Sequence, residues 1–398
     1  MTVRDWAARM PYSIALASIV LMAIGVAAIA RADELLLTGG TRALRQALWA
    51  VLAVLVVLAA TIPHYRRLWR VSYLFLAGAI ALLVLVYFFP PINGVRRWIR
   101  VGPLGFQPSD LAKLAFVLAL ARYLMYSRNH RQLLGLLWPL LLSCIPVLLI
   151  LKEPDLGTAL VFLPTLLAML LAAGARLTHL AVVMLCGLML APVLWSQMSR
   201  EQRSRITSLF EQTGPDERPT GDGYQLHQSK QLLALGGAWG SWITGPATED
   251  PGAYHLPAAA TDFVFSIVGE RFGKPGLLLI LAMFLVIITR GLTIASTSRE
   301  PFGRLLVVGF TSLFATEMLI NVAMTVGLAP ITGLSLPLVS YGGSGLVTHA
   351  LATGLMLNVA IRPGYEISGE PFRFAQRSRP RRQVALRRTA REHIRVPA

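Results

Sequence analysis

Apolar residues in this chain of 398 residues do not alternate with polar ones; they run. Runs of about 20 apolar residues, the length that carries a helix across ~30 Å of hydrocarbon, recur along it. They lie near residues 11–30, 43–62, 71–89, 109–126, 133–151, 156–174, 178–196, 262–289, 304–327 and 343–361. Continuous runs exclude a closed β-barrel, whose strands alternate between lipid and lumen. The pattern predicts an all-α polytopic integral membrane protein with about ten transmembrane helices. Three non-helical stretches are expected between the runs. Residues 90–108 are rich in turn formers and cations, residues 197–261 form the one long polar loop, and residues 327–345 are largely apolar. Pro330, Pro337 and glycines 327, 333, 342, 343 and 345 keep that last stretch from regular helix. Broken apolar backbone at membrane depth persists only where protein or a watery cavity satisfies its polar groups.

Composition agrees: 55% of residues are hydrophobic, 14% charged, and the mean hydropathy is +0.59. A net charge of +17 would suit nucleic acid, but its distribution argues for a membrane and no nucleic acid. Arg4, Arg9, Arg66, Arg67, Arg70, Arg128, Arg131, Arg176, Arg290, Arg299 and Arg304 mark alternate connections. The positive-inside rule makes those connections cytoplasmic. Both termini then lie inside and the large loop at about 197–261 is extracytoplasmic. Residues 1–362 read as the transmembrane domain, and residues 363–398 as a disordered basic cytoplasmic tail. That tail has nine arginines against three glutamates, a charge suited to anionic inner-leaflet lipid. Arg96, Arg97, Arg100 and Lys152 break the charge rule, which makes them candidates for a task. The first apolar run is too long for a signal peptide and no small-residue cleavage site follows. Cys144 and Cys186 lie within apolar runs, so buried thiols and no disulfide are expected. The seven histidines are scattered without ligand spacing, which argues against a histidine-built metal site. No internal repeat is evident, which argues against a transporter built from inverted halves.

Charged residues inside apolar runs are functional candidates by default. Asp262 stands where the long polar loop returns to apolar sequence, in Leu256-Pro-Ala-Ala-Ala-Thr-Asp-Phe-Val-Phe265. Position alone suits a helix N-cap; a partly desolvated carboxylate there also suits a general base with a raised pKa. Helical spacing from Asp262 aligns Ser266, Gly269, Glu270 and Gly273, which predicts a hydrated groove or tight helix packing. Glu270 has Arg271 and Lys274 as neighbours to pair with, and reads as structural. Asp110 and Lys113 share a helix face, either as a local ion pair or as a cavity-facing cation with its carboxylate. Asp155 follows Glu-Pro and precedes an apolar run, so it reads equally as a helix cap or as a site residue. Arg96, Arg97 and Arg100 suit headgroups or a pyrophosphate, for which guanidinium geometry is apt. Trp98 among them reads as an interfacial anchor.

Five segments resemble the SEDS family (shape, elongation, division and sporulation), which includes RodA and FtsW, over residues 10–362. They are Arg97-Trp-Ile with Phe106-Gln-Pro-Ser-Asp-Leu-Ala-Lys113, Glu153-Pro-Asp-Leu-Gly-Thr158, and Tyr224-Gln-Leu-His-Gln-Ser229. Thr261-Asp-Phe-Val-Phe265 and Pro330-Ile-Thr-Gly with Leu336-Pro and Ser340-Tyr-Gly-Gly-Ser344 complete the set. The resemblance implies the SEDS fold and a peptidoglycan glycosyltransferase of the bacterial cytoplasmic membrane. Such an enzyme polymerises lipid II on the outer face, with inversion, in elongation or division. It makes Asp262 the general base, and Lys113, Arg96, Arg97, Asp110, Asp155, Gln228, Ser229, Ser340 and Tyr341 substrate or pyrophosphate contacts. Arg96, Arg97, Lys113 or a divalent cation (Mg or Mn) would neutralise the leaving pyrophosphate. The implied partner is a class B penicillin-binding protein. The chain departs from the family where Pro257-Ala-Ala-Ala-Thr-Asp262 replaces Pro-Glu-x-His-Thr-Asp. Asp110 replaces a glutamate, and Leu235–Gly245 follows the family's glycine-rich loop only loosely. The lost Glu and His leave room for a non-catalytic scaffold that activates a transpeptidase. A flippase for lipid-linked precursors is a third reading.

Overall fold

A computed structural model describes residues 6, 8–35, 40–92, 94–102, 104–127, 132–210 and 221–362. The elements, in chain order, begin with α1 (Tyr12–Leu35), α2 (Thr41–Thr61) and α3 (Arg67–Leu85). Strands β1 (Ile99–Val101) and β2 (Leu104–Phe106) follow, then α4 (Pro108–Tyr126), α5 (Leu137–Lys152), α6 (Leu156–Ala173) and α7 (Leu177–Gln197). Next come α8 (Arg200–Phe210), α9 (Asp222–Gly236), α10 (Ser241–Thr244), α11 (Val264–Thr297), α12 (Pro301–Val326) and α13 (Gly343–Ile361). Every predicted apolar run is a helix. Among the described residues, eight helices are long and apolar enough to cross a membrane, and α7 adds the shorter apolar stretch Leu177–Met189. This is a multi-pass membrane protein. The remaining helix of the ten, α4, carries Asp110, Lys113 and Arg122 within its run. It tolerates Asp110 and Lys113 because it is central: most of it is buried, against α3, α5, α6, α12 and α13.

Peripheral helices show the opposite pattern. On α2, Leu44, Leu48, Val51, Leu55 and Leu58 are exposed at helical spacing, a stripe suited to acyl chains. Cys144 and Cys186 are free but exposed, not buried as expected. In a membrane bundle an apolar position can face lipid as readily as the core. The tail from 363 onward lies outside the described residues.

Of the three stretches expected to be non-helical, the first holds a hairpin ahead of α4, in keeping with that expectation, and only the polar one needs correction. Residues 90–108 include the β1–β2 hairpin, antiparallel with Ile99 opposite Phe106. The polar stretch 197–261 contains three helices, α8, α9 and α10. Polarity there hid helices that bury one side against the bundle. Ser229 on α9 meets Ser266 on α11 at 2.7 Å and donates to Thr325 O of α12 at 2.8 Å. Gly236 touches α11 so closely that an added Cβ would lie 1.9 Å from Gly269 O. Gly273, at φ 62°, breaks α11 just ahead of Pro275, and Ala238 O accepts from Lys274 N there at 3.2 Å. The stripe Ser266–Gly269–Gly273 is therefore tight packing.

Glu270 is structural, but its partner is distant in sequence. Arg31 of α1 donates to both its oxygens, at 2.8 and 3.0 Å, in place of Arg271 or Lys274. The pair clamps α1 to α11 with the carboxylate sealed in the bundle. Removing one partner strands the other charge. Arg31→Met should therefore destabilise the protein by about 3–5 kcal/mol, read as a lower thermal midpoint in detergent. Arg31→Met with Glu270→Gln should recover part of that loss.

Candidate active site

The non-helical segment between α12 and α13 is stitched to its surroundings by side chains. Asn321 Nδ2 donates to Leu334 O at 2.7 Å and to Asp262 O at 2.8 Å. Gln46 of α2 donates to Ser340 O at 3.1 Å and accepts from Gly342 N at 3.3 Å. Ser340 Oγ accepts from Leu336 N at 2.8 Å, and Tyr341 N donates to Ala260 O at 2.9 Å. Protein groups thus satisfy the broken backbone, as apolar surroundings demand. The same bonds bring the Asp262 turn against the loop that ends at α13.

Between them opens a cavity of about 640 Å³. Its wall includes Thr261, Asp262, Asp110, Ser340, Tyr341 and His349, together with Arg45, Trp49, Trp98 and Arg100. Asp262 is half-buried and is not a helix cap: Phe263 holds the cap position of α11, with no side-chain cap bond. Burial pushes its carboxyl up to about 6, against the opposing pull of Thr261 and the Arg205 guanidinium. Arg205 comes from α8, and it and Asp262 both flank Gly333. A carboxylate of that kind is ionised at pH 7 yet poised to take a proton.

The other candidates divide. Asp110, Ser340 and Tyr341 line the cavity with Asp262. Lys113 is sealed beneath it, 3.1 Å from Asp110 Oδ1 and 2.6 Å from Glu317 Oε1. Arg96 is bonded to Tyr87 O at 2.9 Å, away from the cavity wall. Arg97 holds the α5–α6 turn through Glu153 O, at 2.8 Å, and Pro154 O. Asp155 caps α6, accepting from Thr158 N at 3.1 Å, and takes a bond from Gln107 Nε2 at 3.2 Å. Gln228 donates to Tyr224 Oη at 3.2 Å, and Ser229 packs α9; neither lines the cavity. Glu153 is buried, and among the described residues neither of its carboxyl oxygens has a hydrogen-bond partner. Burial and Asp155 push its carboxyl up to about 8, against the pull of Arg97. Among the described residues, no group of three His, Cys, Asp or Glu is placed to hold a metal ion.

Sequence reading missed Arg45, Gln46, Arg205, Asn321 and His349. Arg45 and Gln46 interrupt the apolar run of α2 in its first turns, the same signal that marked Asp110 and Lys113. Arg205 gave none, because its helix lay in a stretch read as loop.

Known proteins share this architecture. Residues 8–363 match the FtsW/RodA/SpoVE cell cycle protein family. The chain belongs to that family. A Geobacter sulfurreducens relative, named as a probable peptidoglycan glycosyltransferase FtsW, is 35% identical over 330 residues, 80% of this chain and 85% of that protein. The peptidoglycan glycosyltransferase MrdB of Escherichia coli K12 is 34% identical over 312 residues, 77% of this chain and 82% of that one. Among solved structures, a peptidoglycan synthase complex that coordinates polymerization and crosslinking contains a similar chain. It superposes with a TM-score of 0.77 at 28% identity, over 90% of this chain and 99% of that one. The rod shape determining protein RodA of Thermus thermophilus gives 0.66 at 26% identity, over 90% and 98%.

A raised carboxyl pKa has a cost in stability. With its folded pKa near 6 and an unfolded value of about 3.9, Asp262 disfavours folding most above pH 6. The penalty fades as pH falls from 6 towards 4, where the folded protein takes up the proton first. Asp262→Asn should therefore raise the thermal midpoint at pH 7.5, and the gain should shrink by pH 5.

Proposed function

We propose that this chain is a peptidoglycan glycosyltransferase that polymerises lipid II on the outer face of the bacterial cytoplasmic membrane. The observation that carries the reading is Asp262: a half-buried carboxyl with a pKa near 6, on a cavity whose wall also bears two arginines. Family membership and the names of the relatives support the reaction class. Asp262 takes the proton from the acceptor sugar's 4-hydroxyl as that oxygen attacks the donor's anomeric carbon. The bond from that carbon to the pyrophosphate breaks, undecaprenyl pyrophosphate leaves with the bonding electrons, and an α-linked donor becomes a β-linked product. No general acid is needed if the leaving charge is neutralised.

Arg45 and Arg100 are the arginines of the cavity wall, and they take the neutralising role in place of Arg96, Arg97 or Lys113. Their planar donor forks match phosphate oxygens. Trp49 and Trp98 flank them as apolar walls. A divalent cation would have Asp262 and Asp110 as the carboxylates of the cavity wall, and among the described residues no third carboxylate joins them. The partner is a class B penicillin-binding protein, in line with the crosslinking complex that contains a similar chain. Both termini are cytoplasmic, and the site opens at the extracytoplasmic end.

The test is glycan chain growth from lipid II by the purified protein with its cognate transpeptidase. Wild type should extend chains, and Asp262→Asn should cut the rate by about 10²–10⁴-fold. Inert wild type whose partner is still stimulated would establish the scaffold reading, and lipid II translocation without growth the flippase. The rate should fall as pH drops through about 6, where Asp262 takes up its proton. Arg205→Gln should move that limb to higher pH, because the guanidinium holds the carboxyl down. Arg45→Ala or Arg100→Ala should each slow growth by about tenfold or more.

A further inference from the structure

At the cavity wall and just beneath it, four ionisable side chains are buried in the bundle: Asp110 and Lys113 on α4, Glu317 on α12 and His349 on α13. They make a continuous chain. Lys113 Nζ bridges Asp110 Oδ1 and Glu317 Oε1, and Glu317 Oε2 lies 2.5 Å from His349 Nε2. The other ring nitrogen, Nδ1, is 2.7 Å from the backbone oxygen of Gly345. Its two ends, Asp110 and His349, both reach the cavity wall.

Hydrogen-bond chemistry fixes the protons. A carbonyl oxygen only accepts, so Nδ1 carries a hydrogen. In a neutral imidazole Nε2 would then be a bare acceptor facing a carboxylate oxygen, also an acceptor. Two acceptors do not meet at 2.5 Å without a proton between them. The Glu317–His349 pair therefore holds one proton more than a carboxylate beside a neutral imidazole. Lys113 and that proton together balance Asp110 and Glu317, so the quartet is neutral. Burial requires this, because an uncompensated charge in an apolar interior is strongly destabilising.

The quartet also holds the wall. His349 fastens Gly345 O. One residue earlier, Ser344 Oγ reaches Asp110 Oδ2 at 3.4 Å and accepts from Gln107 N at 3.2 Å. The first turn of α13, beside Ser340 and Tyr341, is thus tied at two successive residues to the two ends of one charge chain. We propose that His349 is a positioning residue: the proton it shares with Glu317 neutralises the quartet and holds the Ser340–Gly345 wall against the cavity. This deepens the glycosyltransferase reading, on which its turnover readout rests.

Charge-balanced substitutions test it. His349→Asn removes the shared proton's site and leaves one negative charge in excess. Glu317→Gln keeps neutrality: its amide N–H donates to a neutral His349 Nε2 and its oxygen accepts from Lys113. Glu317→Gln with His349→Asn is neutral as well. Lipid II turnover and thermal midpoint are measured for all four proteins. His349→Asn should lose at least about tenfold in turnover and drop in midpoint; adding Glu317→Gln should restore the midpoint to within a few degrees and turnover only in part, because the tie to Gly345 O goes with the ring. A His349→Asn protein equal to wild type would overturn the proposal. So would a double variant no better than His349→Asn, or one that fails to fold where Glu317→Gln folds. If wild type itself makes no glycan, the glycosyltransferase reading fails, and the four midpoints still decide the charge balance.

Discussion

One side-chain amide, Asn321 Nδ2, holds two backbone oxygens that lie far apart in sequence, those of Asp262 and Leu334. The architecture of the cavity depends on that joint. Pro330, Pro337 and Gly333 deny the segment after α12 a helix, and each unsatisfied backbone group at membrane depth would cost several kcal/mol. Asn321 settles one of these groups along with Asp262 O, Gln46 settles two more, and Ser340 another. The fit that satisfies the backbone is the same fit that sets Asp262 opposite the Ser340–Gly345 loop. Structural necessity and site geometry are one set of bonds.

The inner helices handle charge by a similar logic. Asp110, Lys113, Glu317 and His349 are each costly alone in the interior, and tolerable as a neutral chain. Lys113 is therefore committed to carboxylates, while Arg45 and Arg100 lie on the cavity wall. Arg97 is likewise committed, to the backbone of the turn that Asp155 caps. The family's Glu-x-His is missing ahead of Thr261, and a different Glu–His pair, Glu317 with His349, lies under the same cavity.

Much of the fold was legible because span length and apolar continuity are set by hydrocarbon thickness, and each of the ten runs is a helix. Asp262 stood out by its place at the end of a polar stretch, and the structure puts it on the cavity with Asp110, Ser340 and Tyr341. What could not be read was pairing across the chain. Arg31 with Glu270, and Lys113 with Glu317, join residues more than 200 positions apart, and local sequence offered nearer partners instead. Helices α8 and α9 were hidden because polar-rich helices lack the apolar continuity that marks a span. The cysteines misled for a related reason: apolar surroundings mean lipid as often as core.

A stitched break in the backbone fixes Asp262 on the cavity wall, where the proposed reaction needs its carboxylate. Asn321→Ala tests this most directly, because it keeps the carboxylate and removes the amide that holds the backbone at Asp262 and Leu334. In a lipid II polymerisation assay on folded, monodisperse protein, growth should fall by at least about tenfold, since misplacement by ~1 Å can cost about 10²-fold. Chain growth at the wild-type rate would contradict the account.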